Sequence, residues 1–141
     1  MKKGFILNIE KETVDNTDYR RVLYTAKHSQ LVLMSLNPGE EIGEEIHENS
    51  DQFFRFEAGE GKIVINGVEH IIKDGFAAVV PAGAKHNVIN TGDEKLQLYA
   101  IYSPPHHQNK TVHHTKADET DEKFDGQLSE YVKLMKKLIW D

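Results

Sequence analysis

From residue 20 to residue 103 the chain falls into short apolar-rich runs, each closed by glycine, proline or asparagine. The runs are Arg21-Val-Leu-Tyr24, Leu31-Val-Leu-Met34, Gln52-Phe-Phe-Arg-Phe56, Lys62-Ile-Val-Ile65, Val68-Glu-His-Ile-Ile72, Ala77-Ala-Val-Val80, His86-Asn-Val-Ile89 and Leu96-Gln-Leu-Tyr-Ala-Ile-Tyr102. They are rich in β-branched and aromatic residues, which suit a pleated, half-buried surface. Asn66-Gly67, between two of them, is the strongest hairpin signal in the chain, because both residues tolerate the positive φ of a two-residue turn. Asn37-Pro-Gly39, Lys73-Asp-Gly75 and Asn90-Thr-Gly-Asp93 punctuate the others. Many short strands at even spacing predict an all-β sandwich or barrel. A jelly roll is one closed double-sheet solution.

The flanks follow other patterns. Residues 1–19 form a lead-in segment, with Phe5-Ile-Leu-Asn-Ile9 offering an edge strand. Residues 104–126 start at Pro104-Pro105 and are polar and charged, with histidine doublets at His106-His107 and His113-His114 and an acidic run at Asp118-Glu-Thr-Asp-Glu122. Such a composition buries little and predicts a loose strap, whose histidines read more readily as solvated side chains than as a second metal site. Over 127–141 the period changes: Leu128, Tyr131, Val132, Met135, Leu138 and Ile139 fall on one helical face, with Glu130, Lys133, Lys136 and Lys137 on the other. That amphipathic helix needs a partner surface, the barrel or a second subunit.

Composition narrows the classes. At 141 residues and 38% hydrophobic, one domain with a core of its own is expected. Cysteine is absent, which excludes disulfides, thiol catalysis and zinc–thiolate sites. A net charge of −6 argues against nucleic acid as a partner. The apolar run after Met-Lys-Lys ends at Asn8 and is followed by Glu10-Lys-Glu12, too short and too charged for an export signal. No run has the length of a membrane span, so a cytoplasmic protein is expected.

The chemistry concentrates in two places. Glu45 and His47 are two apart on a short strand and so share a face. Gln52 follows after the turn-forming Asn49, Ser50 and Asp51, and His86 follows the Pro81-Ala-Gly83 corner. Two imidazoles, a carboxylate and an amide make a mixed nitrogen and oxygen site for a divalent ion. Gln52 either ligates directly or hydrogen-bonds Glu45 or a metal-bound water. Asp51 is the competing carboxylate, on the opposite face by strand parity unless a bulge intervenes. Phe54 and Phe56 share the face of Gln52 and are expected to wall the pocket, with Arg55 turned away. Tyr24, Met34, Tyr99 and Tyr102 are further pocket candidates that strand parity does not place.

These residues carry a resemblance. Gly39, five residues, Glu45-Ile-His47, four residues, Gln52, six residues and Gly59 resemble the first motif of the cupin superfamily. Gly75, five residues, Pro81-Ala-Gly83, two residues, His86, three residues and Asn90 match the second, with fifteen residues between the motifs, as in small single-domain bacterial cupins. Glu45 stands where that family usually has histidine, and Gln52 where it usually has glutamate. The resemblance implies a double-stranded β-helix barrel over about 20–103, one divalent metal (manganese, iron, nickel or zinc), a small-molecule ligand and a homodimer. It admits a dioxygenase-like oxidoreductase acting on a chelating substrate, an isomerase of a sugar or hydroxy-carbonyl compound, and a non-catalytic binding module. The aromatic wall favours the first. No general base is evident, since Glu48 and Glu57 are expected to point elsewhere, and no cation cluster for a phosphate can be placed inside the barrel.

Overall fold

The computed structural model describes residues 2–130. Its elements are α1 (Ile9–Asp15), β1 (Arg20–Thr25), β2 (Gln30–Leu36), β3 (Glu45–Ile46), β4 (Asp51–Ala58), β5 (Glu60–Ile65), β6 (Val68–Lys73), β7 (Ala77–Val80), β8 (Lys85–Asn90), β9 (Leu96–Ser103) and β10 (Val112–His113), followed by a 3-10 turn at Lys116–Asp118. A six-stranded sheet runs β10-β1-β2-β9-β4-β7 and a four-stranded sheet β3-β8-β5-β6. Every ladder is antiparallel. This is the all-β double-stranded β-helix, a jelly roll, that the strand pattern predicts. No helix among the described residues is long and apolar enough to cross a membrane.

The core lies between the two sheets because alternate residues of each strand point inward. Gln52, Phe54 and Phe56 of β4 stand opposite Tyr102, Ala100 and Leu98 of β9, and all six are buried. Val32, Met34 and Leu36 of β2 extend that inner face, and Ile63 and Val88 cover it from the other sheet. Each fully buried phenylalanine is worth about 1.5–3 kcal/mol relative to exposure. Two turns depend on unusual backbone. Asn66 and Gly67, at φ 49° and 81°, give the paired positive angles of a type I′ hairpin between β5 and β6. Gly59 has φ 89°, and a Cβ there would run into the Lys95 carbonyl.

Two expectations for the flanks are corrected. Phe5 to Ile9 form no strand; a helix starts at Ile9 instead. Asn8 accepts from Lys11 N at 3.2 Å as its N-cap, and Glu10 and Glu12 sit in the first turn, where carboxylates suit the helix dipole. Local capping outweighs the apolar run, and Gln97 Nε2 then ties the end of the helix down through the carbonyls of Val14 and Asn16. The Phe5 ring stacks on Tyr24 at 5.0 Å.

The strap, in turn, is held in place. Within it, β10 pairs with β1, placing Arg20 opposite His113 and Arg21 opposite Val112, and His107 bridges Lys123. Gln30 pins it from below. Its Nε2 donates to Thr25 Oγ1 at 2.9 Å and to the His107 carbonyl at 2.7 Å, while its Oε1 accepts from the backbone N–H of His106 at 3.2 Å and of His107 at 2.9 Å. His107 and His113 are therefore buried, although the composition of the segment suggests solvated side chains. The helix expected over 127–141 falls mainly on 131–141, outside the described residues. Its approach runs beside β1, where Thr25 N donates to Ser129 Oγ at 2.9 Å and Tyr24 Oη to Glu130 Oε1 at 2.8 Å.

Candidate metal centre

β3 pairs with β8 so that Glu45 stands directly opposite His86. Side chains so opposed share a face with their Cβ atoms about 5 Å apart. His47, two residues past Glu45, joins the same face, and its carbonyl accepts from Gly83 N at 2.9 Å, which ties the end of β3 to the corner preceding β8. One ligand atom from each of Glu45, His47 and His86 lies within 4.8 Å of the others. Gln52 arrives from the facing sheet. It is buried beside Tyr102, whose ring lies 5.6 Å from that of His47.

The hydrogen bonding of the group fits a cation. His86 Nδ1 lies 3.0 Å from the Ala84 carbonyl; donating there leaves the lone pair on Nε2, the arrangement that presents an imidazole to a metal. That Nε2 is buried with no hydrogen-bond partner, as are both ring nitrogens of His47 and Oε1 of Gln52. Glu45 Oε2 approaches His47 Nε2 to 2.9 Å without the alignment of a hydrogen bond. Two atoms at right angles on one ion, with bonds of about 2.1 Å, stand about 3 Å apart. Leaving such polar atoms buried and unpaired costs about 1–3 kcal/mol each, and a divalent ion relieves that cost.

Electrostatics agree. Burial by itself would raise the Glu45 carboxyl, but His47, Arg20 and His86 together outweigh it and hold the group below the ordinary carboxylate range. Burial chiefly, with His47 adding, lowers His86 and so favours its neutral imidazole. Ionised carboxylate and neutral imidazole are the forms that ligate. Asp51 takes no part. It is exposed, and its Oδ1 accepts from Ala82 N at 2.9 Å, as strand parity implies.

Phe54 lies beneath the centre, fully buried, with its ring 6.1 Å from that of His86, and Phe56 stacks on Phe54 at 6.2 Å. Neither lines the cavity above the ligands. That cavity, about 590 Å³, is bounded by Glu45 and His47 on one side and by the strap on the other. Glu48, expected to point elsewhere, also lines it, whereas Glu57 pairs with Arg55 at 2.7 Å.

Two cavity residues escape the sequence analysis. The His106 ring lies 4.2 Å from that of His47 and stacks on Tyr102 at 5.6 Å. Burial chiefly, with His47 and Lys123 adding, pushes it down to about 4. Arg20, 2% exposed, also lines the cavity. Its Nη1 donates to Glu119 Oε2 at 2.8 Å and lies 3.3 Å from His113 Nδ1. Arg20 could have been found by parity, since it is two residues before the inward Val22. His106 carries no local signal beyond the two prolines before it.

Comparison with known proteins follows the same outline. The chain is 50% identical over 122 residues to the uncharacterized protein YrkC of Bacillus subtilis, covering 82% of this chain and 66% of that protein. It is 45% identical to BH2720 of Bacillus halodurans, whose crystal structure superposes with a TM-score of 0.81 over 82% of this chain and 92% of that one. A Thermotoga maritima oxalate-binding protein is 32% identical over 68 residues, 48% of this chain and 56% of that protein. The profile of the cupin domain matches residues 32–102. That span runs from β2 to β9 and contains Glu45, His47, Gln52 and His86, so the chain belongs to the cupin domain family.

Proposed function

We propose that this cupin binds one divalent transition metal through Glu45, His47 and His86, with Gln52 as a fourth ligand, and acts as an oxygenase on a small chelating substrate. The observation that carries the reading is the convergence of buried, unpartnered ligand atoms from two facing sheets. An ion held by Glu45, His47, His86 and Gln52 would supply Lewis acidity and, if redox-active, one-electron chemistry with O₂. The chain's own residues do the rest. Ala84 holds the His86 tautomer, and His106, backed by Tyr102, gives the ligand an aromatic flank.

The charge of the cavity bears on the substrate. Its lining has two cations, Arg20 and Lys123, against five carboxylates, Glu45, Glu48, Glu119, Asp121 and Glu122. A doubly charged sugar phosphate meets repulsion there, whereas a diketone or enediol that gives up one proton on chelation does not. The isomerase reading is therefore the weaker one. A non-catalytic holder of a small dicarboxylate is the second reading, favoured by the similarity to the oxalate-binding protein and opposed by the same acidic lining.

The test has two stages. Elemental analysis of the purified protein is expected to find about one ion per chain, and a variant with both His47→Ala and His86→Ala to find none. Full metal in that variant refutes the centre. Oxygen uptake by the ferrous and manganous forms with diketone, enediol and flavonol-like compounds then tests the activity. Uptake with none of them refutes the oxygenase, and isomerisation of an aldose or ketose by the same preparation would put the isomerase in its place.

A further inference from the structure

We propose that Arg20 is a second anchor for the ligand, taking an oxygen that the metal does not hold. The proposal rests on the metal centre described above and adds a substrate class to it: planar chelators with a further carboxylate or carbonyl oxygen next to the chelating pair. Arg20 sits at the first position of β1, is 2% exposed, and lines the same cavity as Glu45 and His47. A buried guanidinium normally has its N–H groups satisfied. Among the described residues, Nη1 pairs with Glu119 and lies beside His113, the guanidinium carbon stands 5.1 Å from the centre of the Tyr19 ring, and Nε is buried without a hydrogen-bond partner.

The engaged side explains the orientation. Glu119 and His113 belong to the strap, and both grip the same nitrogen, which fixes the plane of the fork. A plain strap staple needs no more than that, and it gives no reason to leave Nε buried and unpaired in a residue that lines the cavity. The Nε and Nη2 edge of a guanidinium is the edge that meets a carboxylate with two parallel hydrogen bonds. Glu119 also neutralises part of the Arg20 charge, so the group anchored there is no more than a single carboxylate.

The experiment compares two probes on the cobalt(II)-loaded full chain, followed through the visible bands of the metal. Pentane-2,4-dione has only the two oxygens that a metal takes, and 2,4-dioxopentanoate has the same chelating pair plus a carboxylate. The wild type is expected to bind 2,4-dioxopentanoate at least about tenfold tighter, as one charge-assisted pair would give. Arg20→Gln should abolish that preference, while at saturating cobalt the chain still loads one ion and still binds pentane-2,4-dione. Glu119→Gln supplies the control for a structural role, since it removes the staple and keeps the donor. It should retain or increase the preference. If Arg20→Gln and Glu119→Gln behave alike, or Arg20→Gln weakens both probes equally, Arg20 is a staple and the proposal fails. A wild type that loads cobalt but shows no preference between the probes, or responds to neither, also overturns it and leaves the metal centre standing. Failure to load cobalt at all would sink both.

Discussion

Replacing Gln30 with leucine removes a buried amide that acts as a surrogate strand for the strap. The side chain is 0% exposed and makes the four bonds to Thr25, His106 and His107. Leucine has nearly the same bulk, so little cavity is opened. At about 1 kcal/mol net for each hydrogen bond, the loss comes to roughly 4 kcal/mol. Three of the deserted partners are backbone groups of His106 and His107. If the strap stayed down, each would be stranded at about 1–3 kcal/mol. Detachment, which returns them to water, is therefore the expected response. Thermal unfolding of the metal-free protein should fall by roughly 10 °C, taking about 2–4 °C per kcal/mol at this size. Limited proteolysis read by mass spectrometry should show new cleavage between residues 104 and 124. Metal stoichiometry should survive, because none of Glu45, His47 and His86 lies in the strap. A variant that melts within about 2 °C of wild type and keeps its strap protease-resistant would refute the reasoning.

Three shorter predictions accompany it. Gln52→Leu removes an amide whose oxygen has no partner in the metal-free protein, so that form should be as stable as wild type or slightly more so. Its metal affinity by calorimetric titration should drop about tenfold or more, and unchanged affinity would make Gln52 a bystander. Burial chiefly, with Arg20 and His106 adding, pushes His107 down to about 2. It binds its proton more readily unfolded, near 6.5, so its contribution to the stability of the metal-free protein is complete above pH 6.5 and lost as pH falls below it. The slope is about 1.4 kcal/mol per pH unit; urea midpoints that stay flat from pH 6.5 to 5 would contradict it. The chain should be a homodimer, since Val68, Ile71, Phe76 and Val79 are exposed apolar residues at the open edges formed by β6 and β7. Light scattering at micromolar concentration that returns the mass of a single chain would rule that out.

The sequence makes the strands and the candidate ligand cluster legible for the same reason. Glu45 and His86 lie on short strands whose alternation is local, His47 follows the first of them directly, and glycine and proline corners fix where each strand begins. The strap is illegible because its order comes from distant partners. Gln30 and β1 supply the hydrogen bonds that its own polar composition lacks, and nothing within 104–126 announces them. His106 reaches the centre only through those contacts. The lead-in segment misleads for a subtler reason: an apolar run suggests a strand, but Asn8 followed by two glutamates in the next four positions is a helix start.

Arg20, His106 and Glu119 all lie outside residues 32–102, the stretch in which every proposed metal ligand falls. The proposed ion site and the part of the pocket that would choose its guest, Arg20 and the strap, are therefore written in separate parts of the chain. A descendant could exchange the first strand and the strap, and with them its preferred molecule, while inheriting the metal cradle unaltered. Likewise, two proteins with the same cradle need not share a substrate. For engineering, it makes the strap the place to retune selectivity, since none of the proposed ligands of the ion lies in it.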